Sequence, residues 1–198
     1  MFISSVQIAN LALSETGTDS TIESLTENSA EANVINLWFE HARKIVLSGF
    51  NWSFARKRVL LATHTDSPSS EWGYRYVYPS DCLKVRFIEN PAGQTADPVP
   101  FTIEQANNGT RSILTNEGTA TVIYTEDISN TALYTPFFIE TFAIELAGYI
   151  CFALTGKLRL SNFLKDRAKQ MMGFAAVIDN TEKQETAPRD ASCILARN

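Results

Sequence analysis

The sequence predicts an α+β fold: an antiparallel helix bundle of about four helices with an antiparallel β-rich region inserted between the second and third. Three observations carry this. Apolar residues recur at helical spacing in the first fifty residues and again after residue 135; the period falls to two between residues 51 and 126; and turn chemistry clusters in that middle stretch. The expected parts are residues 1–50 as the first helical part, 51–130 as the inserted β-rich region, 131–182 as the second helical part completing the bundle, and 183–198 as a tail that orders when it docks on a partner.

The first helix is expected over residues 4–14, with Val6, Ala9 and Leu13 on one face, and it stops before Gly17. The second opens at Asn28 or Ser29, with Glu31 placed for a capping box, and its buried stripe reads Val34, Trp38, Ala42, Ile45 and Gly49, flanked by Ile35 and Val46. His41, Arg43 and Lys44 then fall on or near the wet face. Six strands follow, over residues 56–62, 73–78, 83–89, 99–104, 110–114 and 119–125. They are separated by turn signals at 66–68, 78–81, 90–93, 108–109 and 116–118, which read as successive antiparallel hairpins. In the third strand Leu83, Val85 and Phe87 point one way and Lys84, Arg86 and Ile88 the other. Thr135 and Pro136 open a third helix that Thr155 and Gly156 close. A fourth begins near Ser161 and presents Leu164, Ala168, Met171, Met172, Ala175 and Ile178.

With 198 residues, 44% of them hydrophobic, the chain can build a core that needs no disulfide or metal. A net charge of -5 argues against a protein whose main task is gripping bare nucleic acid. Cys82, Cys151 and Cys193 are odd in number and hold no CxxC pair, which suits a reducing compartment and no zinc knuckle. The amino terminus lacks the basic and apolar segments of a signal peptide. Residues 137–154 are apolar enough to suggest a membrane span, but they contain Glu140 and Glu145, so a buried helix and no membrane are expected.

Catalytic signatures are sparse. Two histidines rule out a three-histidine metal site, and the HExxH, GxSxG, P-loop and GxGxxG patterns do not occur, so neither an enzyme nor a cofactor is expected. Glu140 and Glu145 stand roughly 140° apart around a helix and do not face a common substrate; one or both belong on its solvent or subunit-facing side. His41 and His64 read as surface residues.

Trp72, Tyr74, Tyr76 and Tyr78 alternate, so in a strand their rings share one face. Such a ladder packs in a core, meets a neighbouring protein or stacks a sugar or unpaired base, and all three readings stay open. Lys157, Arg159, Lys165, Arg167 and Lys169, with Asp166 against them, give a local charge of +4 and leave -9 on the rest of the chain. These residues, with Arg189 and Arg197 in the tail, are candidate docking contacts toward an acidic protein surface or DNA phosphate, against the plainer reading of a solvated face. Arg56, Lys57 and Arg58 form a second basic cluster. Trp52 and Phe54, two apart in extended chain, seal the seam between helices and sheet, while Pro79 holds Tyr78 extended and Ser80 and Asp81 turn the chain.

Collinear segments make the sequence more specific: residues 22–29, Ala32-Asn33, residues 42–47, Asn51-Trp52-Ser53-Phe54-Ala55 with Arg58 and 60–62, Trp72-Gly73-Tyr74-Arg75-Tyr76, and residues 78–85. Together with the last helix from Ser161 through Met171-Met172 and Ala175-Ala176 to Asp179, and with Arg197, they resemble the tail tubular protein A family of short-tailed bacteriophages, over about 180 residues. The resemblance implies a structural virion protein of the tail or neck, made in the host cytoplasm. It implies a head-to-tail adaptor forming a homo-oligomeric ring of about twelve copies, bound to the portal protein above and to a tail nozzle or second tail tubular protein below. Genomic DNA would pass through the ring during ejection without specific binding. Two rivals stand beside it: a phage-tail glycan-binding or hydrolytic module using the aromatic ladder, and a head-completion connector of a long-tailed phage.

Overall fold

Three of the helices begin where a side chain can satisfy the exposed N–H groups of the first turn. The structure is a computed structural model and describes residues 3–91 and 98–181, with side chains described as far as residue 174. Helix α1 spans Ser5–Glu15; Ser4 caps it by accepting the Gln7 N–H, and the Gln7 side chain accepts the Ser4 N–H in return. Helix α2 spans Ala30–Gly49 and is capped by Ser29, whose hydroxyl accepts the Ala32 N–H. The capping box expected from Asn28 and Glu31 gives way to this serine cap. Helix α3, Pro136–Thr155, has the Thr135 cap and first-turn proline the sequence announces, and Gly156 ends it at φ 67°, in the left-handed region that a residue with a Cβ avoids. Helix α4, Leu158–Thr181, starts three residues before Ser161. Ser161 instead lies inside it and donates to the Gly148 carbonyl at 2.7 Å.

α3 is the centre of the bundle and packs against α1, α2 and α4. It is long and apolar enough to cross a membrane, but 61% of its most apolar 18-residue stretch is buried among its neighbours, as in a core helix. Gly148 lets α4 approach: a Cβ there would stand 2.8 Å from Lys165 Cγ and 3.3 Å from the Lys165 backbone nitrogen. The main core gathers Ile8, Leu13, Ile35, Leu47, Phe138 and Phe142, among others, from all three of these helices. Leu164 and Ala168 close it from α4, with Met171 half-buried beside them. The side chains of Ala175 and Ile178, also expected on that stripe, lie outside the described residues.

The β region holds β1 (Arg56–Leu60), β2 (Tyr74–Val77), β3 (Cys82–Ile88), β4 (Phe101–Gln105), β5 (Arg111–Thr115) and β6 (Thr121–Glu126). The six strands fall where the alternating pattern puts them, but their pairing is not a succession of hairpins. Two antiparallel sheets form, in the orders β1-β6-β3 and β2-β5-β4. Among the described residues only β4 and β5 are sequence neighbours that pair, across a turn in which Gly109 adopts φ 81°. The sheets also meet at both edges. The chain past β1 bridges β2 through Thr63 and Tyr76, and the end of β3 bridges Val99 ahead of β4. The strands therefore close a loop in the order β1-β6-β3-β4-β5-β2, which leaves short, protected edges. Inside it lies a second, smaller core that includes Leu61, Tyr76, Val85, Ile88, Ile113, Val122 and Tyr124. Part of the turn expected at 90–93, namely Ala92 and Gly93, lies outside the described residues.

Two expected faces are corrected. Alternation in β3 fails because its register against β6 shifts twice, between Cys82 and Lys84 and between Val85 and Phe87. Each bulge inserts one extra residue, so Cys82, Val85 and Ile88 are the buried set and Phe87 turns outward. On α2 the buried stripe is rotated to Ala32, Ile35, Phe39, Ala42, Arg43, Val46 and Leu47; Val34, Trp38 and Ile45 are half-buried and Gly49 is exposed. Arg43, expected near the wet face, is 4% exposed. Its guanidinium stands 2.6 Å from Glu40 and 2.7 Å from Asp127, and donates to the Ile128 carbonyl at 2.6 Å. These partners, two of them just past β6, make its burial tolerable and tie α2 to the β region.

Candidate interaction surface

The seam between bundle and sheets is built on Trp52 and Phe54. They are not in extended chain: Ser53–Ala55 forms a single 3-10 turn, and the rings still converge, 6.0 Å apart. Trp52 is buried, donates Nε1–H to the Val46 carbonyl at 2.8 Å, and meets Phe138 edge-on at 5.1 Å. Phe54 packs on Phe138 and Tyr134, and the Trp52 carbonyl accepts from Arg86 of β3 at 2.6 Å. After Pro79, whose carbonyl accepts the Cys82 N–H at 3.1 Å, Asp81 becomes a polar hub. It accepts from Lys57 at 2.5 Å and from the Tyr124 hydroxyl at 2.8 Å, and Lys57 also reaches Glu126 at 2.5 Å. Burial pushes the Asp81 carboxyl up, but the Lys57 and Tyr124 hydrogen bonds outweigh it and hold it below the usual aspartate range.

The four rings of the aromatic ladder do not form one open face. β2 covers only Tyr74 and Tyr76 of the four. Tyr76 is 1% exposed in the β core and donates its hydroxyl to the Glu117 carbonyl at 2.7 Å, so it is a packing residue and offers no contact surface. Tyr74 stacks on it at 6.3 Å and is partly exposed; Trp72 sits half-buried in the preceding turn. Tyr78, past the strand end, lies under the Arg111 guanidinium at 4.1 Å. A stacking platform would need its central ring free.

The basic stretch divides in two. Lys157 and Arg159 are exposed at the corner between α3 and α4. Lys165 lies over the Tyr149 ring at 4.7 Å, Arg167 reaches Glu15 at 2.9 Å and Glu140 at 3.6 Å, and Lys169 stands 3.5 Å from Asp166. Lys165 and Arg167 thus serve the molecule's own helix contacts. Arg189 and Arg197 lie outside the described residues.

The His64 side chain differs from expectation: it is buried and not on the surface, and its Nδ1 accepts the Asp66 N–H at 3.0 Å. Of the two α3 carboxylates expected with one or both on a solvent or subunit-facing side, Glu140 is exposed and Glu145 is 6% exposed. Burial raises its carboxyl above the ordinary glutamate value, opposed by a Tyr149 hydrogen bond and by the charges of Lys165, Lys169 and His41. Tyr149 in turn stacks on Trp38 at 4.8 Å, with His41 edge-on to both rings.

Large apolar side chains left outside the core were missed by reading buried stripes alone. Leu37 on α2, Phe152 on α3 and Leu158, Phe163 and Phe174 on α4 are each more than half exposed. Phe163 and Phe174 stand off the Leu164–Ala168 stripe, which is the signal that could have found them. An apolar groove of about 350 Å³ runs between α1 and α3, lined by Ile3, Leu11, Pro136, Ile139, Ala143 and Ile144, with Glu15 and Glu140 on its rim. Among the described residues no group of three or more His, Cys, Asp or Glu side chains is placed to hold a metal ion. No family model matches this chain, and no curated protein matches it.

Proposed function

We propose that this chain is a ring-forming head-to-tail adaptor that joins a portal to a tail and continues the channel for DNA, as its resemblance to the tail tubular protein A family implies. One observation supports it above the rest: Leu37, Phe152, Leu158, Phe163 and Phe174 stand more than half exposed on the helical bundle. Full burial of such a side chain is worth roughly 1.5 to 3 kcal/mol, and because each is still more than half exposed, about half or more of that remains to be gained where other protein covers it. In a closed ring each copy offers one face to the next in a head-to-tail contact, and both neighbours cover apolar surface. The net charge of -5 suits a lumen to which phosphate does not adhere. Lys157 and Arg159, free of the internal pairs that occupy Lys165 and Arg167, are the described basic residues best placed to dock on an acidic portal surface.

The test is mass measurement and electron microscopy of the purified chain, alone and mixed with portal rings of the same virion. The chain alone is expected as a monomer or weak oligomer, and with portal as a closed annulus of about twelve copies. A tight dimer indifferent to portal overturns the reading, and so does turnover of a substrate by the isolated chain.

A further inference from the structure

The groove between α1 and α3 is apolar along its length and acidic at its rim. Ile3, Leu11, Ile139 and Ile144 line it, and Glu15 and Glu140 share the single guanidinium of Arg167, at 2.9 and 3.6 Å. Two carboxylates against one cation leave a formal charge of -1 beside an uncovered apolar trough. A fitting occupant carries adjacent aliphatic side chains followed by a cation.

The chain contains such a segment: Cys193-Ile194-Leu195-Ala196-Arg197. Its reach is sufficient. α3 and α4 are joined by a short turn and run antiparallel, so α4 carries the chain from Arg167, at the groove rim, to Thr181, a further run of about 21 Å. The dozen residues from 182 to 193 span up to about 40 Å when extended, enough to return. The return path is apolar as well, since Phe163, Arg167 and Phe174 fall within about 40° of one another around α4 and both phenylalanines are exposed.

We propose that residues 193–197 dock into the α1–α3 groove of their own molecule, with Ile194 and Leu195 in the apolar trough and Arg197 completing the charge balance of Glu15 and Glu140. This holds whether or not the chain is a phage adaptor. It changes the expectation for the tail, whose first partner becomes its own bundle.

Disulfide trapping in the full chain tests it. Cys82 and Cys151 are buried, so Cys193 supplies the tail thiol, and Leu11→Cys places a second thiol in the groove. Under oxidised glutathione the Leu11→Cys chain is expected to form an intramolecular disulfide at least about tenfold faster than an Asn33→Cys control on the exposed face of α2. Ser14→Cys, at an exposed groove position, repeats the measurement should Leu11→Cys unfold the protein. Arg197→Glu should slow trapping several-fold, and adding Glu140→Arg should restore it. Equal rates at Leu11→Cys and Asn33→Cys, no disulfide, or a disulfide between two molecules overturns the proposal; these results point to another occupant, such as residues 1–2 or a second copy. Ring assembly on portal, read separately with a Cys193→Ser chain, keeps this outcome distinct from the fate of the adaptor reading.

Discussion

The bundle and the β region bury their interiors by different means. In the bundle, twenty-five described residues form one apolar cluster around α3, against which α1, α2 and α4 all pack. In the β region ten residues do the same work, two of them tyrosines whose hydroxyls must find partners. The smaller core is closed by strand pairs distant in sequence and by the Lys57, Asp81, Tyr124 and Glu126 contacts at one end. A large apolar core can carry stability alone, whereas a small one leans on polar ties and on closure of its edges.

The largest expected effect tests the first half of that contrast. Trp52→Ala should cost about 3 to 5 kcal/mol, because it empties a buried site ringed by Phe50, Phe54 and Phe138 and also removes the donor to Val46. Thermal unfolding followed by circular dichroism reads it. An unchanged melting temperature would mean the seam is not where the bundle's stability resides.

Asp81→Asn should cost less, about 1 kcal/mol at neutral pH once its partial exposure to solvent is discounted, and amide exchange should quicken in β1, β3 and β6 while the bundle stays protected. The pH dependence sharpens the point. Asp81 titrates below its ordinary value of 3.8 in the folded state, so its contribution is complete above that value and is lost as pH falls through the folded one. Wild type and variant should therefore converge in stability in strong acid. A gap that persists there assigns the effect to packing.

Glu145→Gln should give the smallest change and the opposite sign. Burial raises the folded carboxyl above 4.5, so the stability it contributes is complete below that value and is lost as pH rises through the folded one. The glutamine variant should match wild type near pH 4 and exceed it at pH 7.5 by less than about 1 kcal/mol, read by paired thermal melts. Loss of stability in the variant at pH 7.5 would show that the ionised carboxylate, held by Tyr149, Lys165 and Lys169, is a net support of the bundle.

Legibility followed the same division. The Thr135 cap of α3, the glycine stop at 156 and the positions of six strands were readable because each depends on residues within a few positions of one another. Arg43 was misplaced because two of its three partners, Asp127 and Ile128, stand more than eighty positions away. The β3 faces were misread because a bulge depends on the partner strand as much as on the strand itself. Of the candidate contacts, Tyr76, Lys165 and Arg167 looked available in sequence, and tertiary packing spent them on a core hydrogen bond, a ring contact and two ion pairs. Phe163 and Phe174 were visible as apolar residues off the stripe, but only the packed helices reveal that each stays more than half exposed.

Sequence by itself determined the α+β class, the element order and most helix ends, since periodicity, caps and turns act over a few residues. Tertiary structure alone decided which strands pair, which way α2 turns its charged residues, and where the apolar groove opens between α1 and α3. Those outcomes depend on groups brought together from distant parts of the chain, and a desolvated charge or an uncovered leucine acquires its energy from neighbours that local pattern does not contain.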